Sequence, residues 1–188
     1  MSRGPMNRAL SGFTSTIFAE MSALASRTSS VNLGQGFPDF DGPASMLDRA
    51  RQAIADGVNQ YPPGPGSPEL RAAVAAHQRR FYGLPLDPDA QVLVTAGATE
   101  GIAAAMLGLL EPGDEVVLLE PYYDSYAATI ALAGGVRRPV RLEPPDFVLP
   151  REAFASAIGP RTRLLLINSP HNPTGAVLSR GDLTFIAS

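Results

Sequence analysis

Short apolar runs alternate with helical patterns through the second half of this chain, and that alternation limits what it can fold into more than any other feature. A run at 92–95 precedes a helical pattern over 99–110, and a run at 116–119 precedes one over 125–133. Two further runs, 136–142 and 164–168, bracket a helical stretch over 151–158. Runs apolar on both faces and separated by helices ask for a sheet covered on both sides, so the expected fold class is α/β on a mainly parallel sheet with flanking helices.

The first half carries helices and turns. Ile17, Met21 and Leu24 recur at helical steps and predict a helix over 14–26, followed by a short extended piece at 31–36 and a turn-rich stretch at 39–43. Met46, Leu47, Ala50 and Ile54 predict a second helix that Gly57 stops. The stretch 61–67 is almost entirely proline and glycine, so it is either an ordered loop of fixed shape or a linker. Ser67 and Pro68 make an N-cap and first helical position, after which Leu70, Val74, His77 and Phe81 share one face up to Gly83. Near the end, Ser179 can cap a helix whose apolar side begins with Leu183 and Ile186.

Composition removes several classes of function. With 45% hydrophobic and 18% charged residues the chain has a globular balance. Its formal charge of -3 argues against a nucleic-acid partner, because such binding rests on clustered cations. No apolar stretch approaches the roughly 20 residues a membrane span requires, so no membrane role is expected. There is no cysteine, hence no disulfide and no thiolate metal site, and His77 and His171 lie too far apart to suggest zinc. The serine-rich N-terminus with Arg3, Arg8 and Arg27 has a faint transit-peptide composition that Glu20 weakens, which leaves a cytoplasmic location as the expectation.

Three strings carry chemistry. Val94 to Glu100 runs from a strand through small residues straight into a helix, a geometry that offers free backbone N–H groups and a positive helix end to an anion such as phosphate, with Thr99 adding a hydroxyl. The same string is also what close strand-to-helix packing requires. Glu120-Pro-Tyr-Tyr-Asp-Ser-Tyr126 follows the next strand, where ligand sites gather, and an aromatic ring there can stack on a planar heterocycle or simply pack in the core. Asn168-Ser-Pro-His-Asn-Pro-Thr-Gly175 follows the last strand, and its two prolines hold the Asn172 amide in one direction, as an orienting donor needs, though Asn-Pro and Gly also mark ordinary loops. His171 reads as a neighbour of such a site and not as a base.

In order and spacing, Gly97-Ala98-Thr99-Glu100, the Glu120 string and Ser169 to Gly175 resemble the class I/II aminotransferases of fold type I, enzymes dependent on pyridoxal 5'-phosphate. Asn32-Leu-Gly-Gln-Gly-Phe-Pro-Asp-Phe40 and Asn59-Gln-Tyr-Pro-Pro-Gly-Pro-Gly66 extend the resemblance over nearly the whole chain. It is strongest to the branch of kynurenine, glutamine and methionine aminotransferases and to actinobacterial succinyldiaminopimelate aminotransferases. The resemblance implies that Ala98 and Thr99 bind the cofactor phosphate, that Tyr123 stacks on the pyridine ring, and that Asn172 donates to the ring's phenolic oxygen. It implies that Gly36 offers its N–H to the substrate α-carboxylate and that Tyr61 reaches the phosphate of a partner subunit, so a homodimer with shared sites is expected. By the same resemblance, residues 1–45 are an N-terminal arm and part of a small domain, and 46–188 are the first part of the cofactor-binding large domain.

The departures are as specific. All fifteen basic residues are arginine. Without a lysine no Schiff base can form, since a guanidinium stays charged at any workable pH. The family's ring-nitrogen aspartate and its carboxylate-clamping arginines also have no match, and Arg180 comes too early to be one. The chain is therefore expected to be the front half of such an enzyme, with no catalytic residue of its own. Its missing strands would insert between those present, so 92–95 and 164–167 would lose sheet neighbours. The isolated residues are expected not to form a stable functional monomer. For the intact protein the expected reaction is ping-pong transamination, with N-succinyl-LL-2,6-diaminopimelate, glutamine, methionine or kynurenine as possible substrates. The alternatives are a carbon–sulfur β-lyase and, from another class, a non-catalytic cofactor-binding fragment or regulator module.

Overall fold

The computed structural model describes residues 7–13, 16–34, 36 and 38–188. Its helices are α1 (Ile17–Thr28), α2 (Ala44–Ala55), α3 (Pro68–Tyr82), α4 (Gly97–Leu109), α5 (Asp124–Leu132), α6 (Arg151–Ala157) and α7 (Arg180–Ala187). The strands are β1 (Glu115–Glu120), β2 (Val136–Arg141) and β3 (Thr162–Leu166), and they form one parallel sheet in the order β2-β1-β3. The α/β expectation holds, with most boundaries within two or three residues of the sequence reading. Thr14 and Ser15, expected in the first helix, and Gln35 and Phe37, in the front motif, lie outside the described residues. The extended piece expected at 31–36 forms no strand where it is described.

The chain divides into two compact units, Ile17–Ala98 and a second made of Met1–Thr16 with Thr99–Ser188. The second unit contains the sheet. β1 is its centre: Val116 and Leu118 face Met106 of α4, Leu110 just after it and Ile130 of α5, while Val117 and Leu119 face Val140, Leu142, Leu149 and Phe154. Alternate residues of one strand thus bury on opposite faces, as a central parallel strand requires. Glu115 opens β1 almost fully buried, and its charge is matched by Arg161, whose Nε and Nη2 donate to Oε1 at 3.1 and 2.7 Å, and by Arg138 at 3.5 Å.

Two of the expected strands turn out differently. The run at 92–95 joins no ladder; its Val94 N–H donates instead to the Pro65 carbonyl at 3.0 Å. A parallel strand exists only when a neighbour supplies the other half of its hydrogen bonds, and none of the three strands does so here. The pattern at 136–142 predicts a strand apolar on both faces, but Val140 is the one buried residue of β2. Arg137, Arg138, Arg141 and Pro139 make it a charged edge strand that resists further pairing.

α7 starts as the sequence indicates. The Ser179 hydroxyl accepts from the Asp182 N–H at 3.1 Å and the Asp182 carboxylate accepts from the Ser179 N–H at 3.1 Å, a reciprocal cap. Arg151 of α6 donates twice to the same carboxylate, at 3.1 and 2.9 Å. The Ser179 hydroxyl and then the Arg151 guanidinium hold the Asp182 carboxyl below its ordinary value. A depressed carboxyl contributes its stability above the unfolded-state value and loses it as pH falls through the folded-state value. Acid titration should therefore loosen α7 in the native chain and leave Asp182→Asn, already lacking the charge, with a flatter melting-temperature profile across the acid range.

The unit Ile17–Ala98 is built differently. Among its described residues only Gly66, Arg71 and Ala75 are buried. Ser67 caps α3 by accepting from Leu70 N–H at 3.2 Å, and Arg71 fastens that helix to the turn after it, donating to Pro88 O at 2.8 Å and pairing with Asp89 at 3.0 Å. The apolar side chains of α1 and α2 find no core within the unit: Ile17, Met21, Leu24, Met46 and Ile54 are all exposed.

Candidate functional site

α4 begins where the small-residue turn ends. Gly97 has φ +81°, a backbone region that costs any other residue, and the Thr95 hydroxyl donates to its carbonyl at 2.9 Å, closing the turn. Ala98 and Thr99 then occupy the first turn, where backbone N–H groups lack the intrahelical acceptor that later residues have. α4 leads through Leu110 into the start of β1, and Met106 and Leu110 pack on Val116 and Leu118. It therefore runs back along the sheet, with its N-terminus toward the carboxyl ends of the strands.

Tyr123 and Asn172 sit at that same end. Tyr123 is the N-cap of α5, directly after β1, half-buried and edge-on to Tyr126 with ring centres 5.8 Å apart. Burial, with Tyr123 beside it, raises the Tyr126 hydroxyl's pKa, so that group stays protonated at neutral pH. Asn172 lies in the loop after β3, the neighbour of β1. Its side chain is exposed and makes no hydrogen bond among the described residues. Thr99, Tyr123 and Asn172 are thus brought to one edge of the sheet, with Ala98 continuous with Thr99 through α4. The remaining sequence candidates belong to Ile17–Ala98. Gly36 is exposed, and a methyl group built on it would meet nothing within 4 Å. Tyr61 has φ +47° and is 95% exposed, a strained backbone holding an aromatic ring against nothing in its own unit.

Two features escaped the sequence reading. His171 is 5% exposed, and desolvation by that burial lowers its pKa, so the imidazole is neutral at neutral pH. It lines a cavity of about 290 Å³ with Asn168, Leu119, Leu142 and Phe147. The Ser125 hydroxyl is buried without a partner among the described residues, where its sequence position after Asp124 suggests only an exposed helix start. Nothing local announces either, since both depend on what packs around them.

This edge can receive an anionic, planar, aromatic ligand: the Ala98 and Thr99 amides and the positive end of a thirteen-residue helix suit a phosphate, Tyr123 suits a ring, and Asn172 is a neutral donor with no competing partner among the described residues. Among the described residues, no group of three or more His, Asp or Glu side chains is placed to hold a metal ion. No helix among the described residues is long and apolar enough to cross a membrane.

The family model described as "Aminotransferase class I and II" matches residues 28–188. A probable N-succinyldiaminopimelate aminotransferase of Mycobacterium tuberculosis is 61% identical over 177 residues, covering 93% of this chain and 45% of the relative. A methionine aminotransferase of Escherichia coli is 47% identical over 167 residues, covering 89% of this chain and 43% of its own. Among solved structures, the N-succinyldiaminopimelate aminotransferase of Mycobacterium tuberculosis superposes with a TM-score of 0.92 at 59% identity, covering 97% of this chain and 48% of that one. The chain spans somewhat under half the length of the curated relatives it matches.

Proposed function

Since the chain belongs to the class I and II aminotransferases, a family dependent on pyridoxal 5'-phosphate, we propose that the protein carrying it moves an amino group between an amino acid and a 2-oxo acid. The observation that carries the reading is the 61% identity with the probable N-succinyldiaminopimelate aminotransferase. The convergence of Thr99, Tyr123 and Asn172 on one sheet edge supports it independently.

In this reading Ala98 and Thr99 bind the cofactor phosphate through first-turn amides and the Thr99 hydroxyl. Tyr123 stacks on the pyridine ring, and the Asn172 amide donates to the ring's phenolic oxygen and favours its anion. When bound, the cofactor supplies an electron sink for the carbanion left as the amino acid's α-proton departs. Gly36 offers its N–H to the α-carboxylate. Tyr61, held out with no neighbour of its own, reaches the phosphate of a second copy, which makes the active unit a homodimer. The exposed apolar faces of α1 and α2 support a unit covered by other protein surface. The chain contains no lysine, so the amine that holds the cofactor covalently is not among these residues, and neither is the base that moves the α-proton.

N-succinyl-LL-2,6-diaminopimelate is the first substrate to test, then methionine, glutamine and kynurenine. With 2-oxoglutarate as acceptor, the complete protein should release glutamate and the donor's 2-oxo acid in equal amounts, read by mass spectrometry. Failure with all four donors would overturn the assignment, as would pyruvate and ammonia from cystathionine without a new amino acid.

A further inference from the structure

Asn172 is exposed, yet the residue before it is one of the most buried polar groups in the chain. The loop is closed around that residue: His171 N–H donates to Ala176 O at 2.7 Å, and Gly175 N–H donates to His171 O at 2.7 Å. Across the loop, His171 Nδ1 meets the Thr174 hydroxyl at 2.8 Å, and that hydroxyl also accepts from Ala176 N–H at 3.3 Å. Thr174 can therefore accept from the backbone and still give its proton to a neutral imidazole. Ser169 ties the far side of the loop by accepting from Leu178 N–H at 3.0 Å. Pro173 fixes one backbone angle after Asn172, but a loop of eight residues needs more than that to hold an amide in one direction.

We propose that the His171–Thr174 pair is the positioning device for Asn172: the buried imidazole braces the Thr174 hydroxyl across the loop and so fixes the direction in which the Asn172 amide is presented. The pair touches neither cofactor nor substrate and acts only through Asn172. The inference rests on the reading that Asn172 donates to the cofactor ring, and the test separates the two. A donor held at the right angle favours the ring's anion, and a donor free to swing favours it less, so loosening the loop should raise the pH at which the bound cofactor ionises.

The experiment is a pH titration of the bound cofactor's visible absorption in the complete enzyme loaded with pyridoxal 5'-phosphate. Asn172→Ala sets the scale and should raise the midpoint by about one pH unit. Thr174→Val should move it in the same direction, Thr174→Ser should return it to the native value, and Asn172→Ala with Thr174→Val together should move it no further than Asn172→Ala alone. Should Thr174→Val not fold, His171→Asn, which keeps a polar atom near the Nδ1 position, against His171→Ala reads the same pair: the first should match the native midpoint and the second should not. A midpoint moved by Asn172→Ala but untouched by Thr174→Val, or a double variant in which the two shifts add, overturns the positioning role alone. A midpoint that Asn172→Ala does not move overturns the reading of Asn172 and the proposal with it.

Discussion

Replacing Gly66 with alanine should be among the most damaging single changes in residues 17–98. A Cβ built there would lie 2.5 Å from both Cβ and Cγ2 of Val94, and the backbone has φ +99°. The left-handed region costs a side chain about 1–2 kcal/mol, and forcing a methyl into occupied space costs about 1–3 more. Together these reach on the order of 3 kcal/mol, a large part of a domain's net stability. Because the overlap includes Val94's own Cβ, Val94→Ala should not rescue the variant. The Pro65 carbonyl that receives the Val94 N–H adjoins Gly66, so the damage should spread from the proline–glycine loop to the run that leads into the turn at Gly97. Chemical denaturation should show the lost stability, and cofactor affinity should fall with it. A variant as stable as the native protein would mean that loop and run do not pack as described.

Phe154→Ala should be as costly in the other unit. Phe154 is 1% exposed, the largest of the fully buried side chains, and it packs with Val117, Leu119, Val140, Leu142 and Leu149. It also meets Phe185 of α7 edge-on, ring centres 6.3 Å apart. Truncating a buried phenylalanine costs about 3–5 kcal/mol in transfer energy and residual cavity. The lost edge contact should free α7 as well, so hydrogen exchange should quicken at Leu183 to Ile186 along with the drop in denaturation midpoint. Phe154→Leu, which leaves a smaller hole, should lose well under half as much.

What the sequence made legible, it did through local rules. α3 could be read because Ser67, Pro68 and Gly83 are capping residues whose effect needs no partner, and the start of α7 could be read from Ser179 for the same reason. The alternation that gave the fold class survives in β1, whose buried residues serve both faces. It fails for 92–95 and β2, because whether an extended segment joins a ladder, and at centre or edge, is decided by segments distant in sequence. The site divides the same way. Thr99, Tyr123 and Asn172 could be placed from their positions after strands or at a helix start. The brace beneath Asn172 could not, since the burial of His171 and its reach to Thr174 are products of packing. Tyr61 was singled out by resemblance to a family, and its strained backbone and full exposure could not be anticipated from a proline–glycine loop.

The most direct measurement is a crystal structure of the complete protein grown with pyridoxal 5'-phosphate. The account predicts the phosphate within hydrogen-bonding distance of the Ala98 and Thr99 amides, the ring against Tyr123, and the Asn172 amide on the phenolic oxygen. A cofactor seated elsewhere in the protein, with that sheet edge empty, would contradict it.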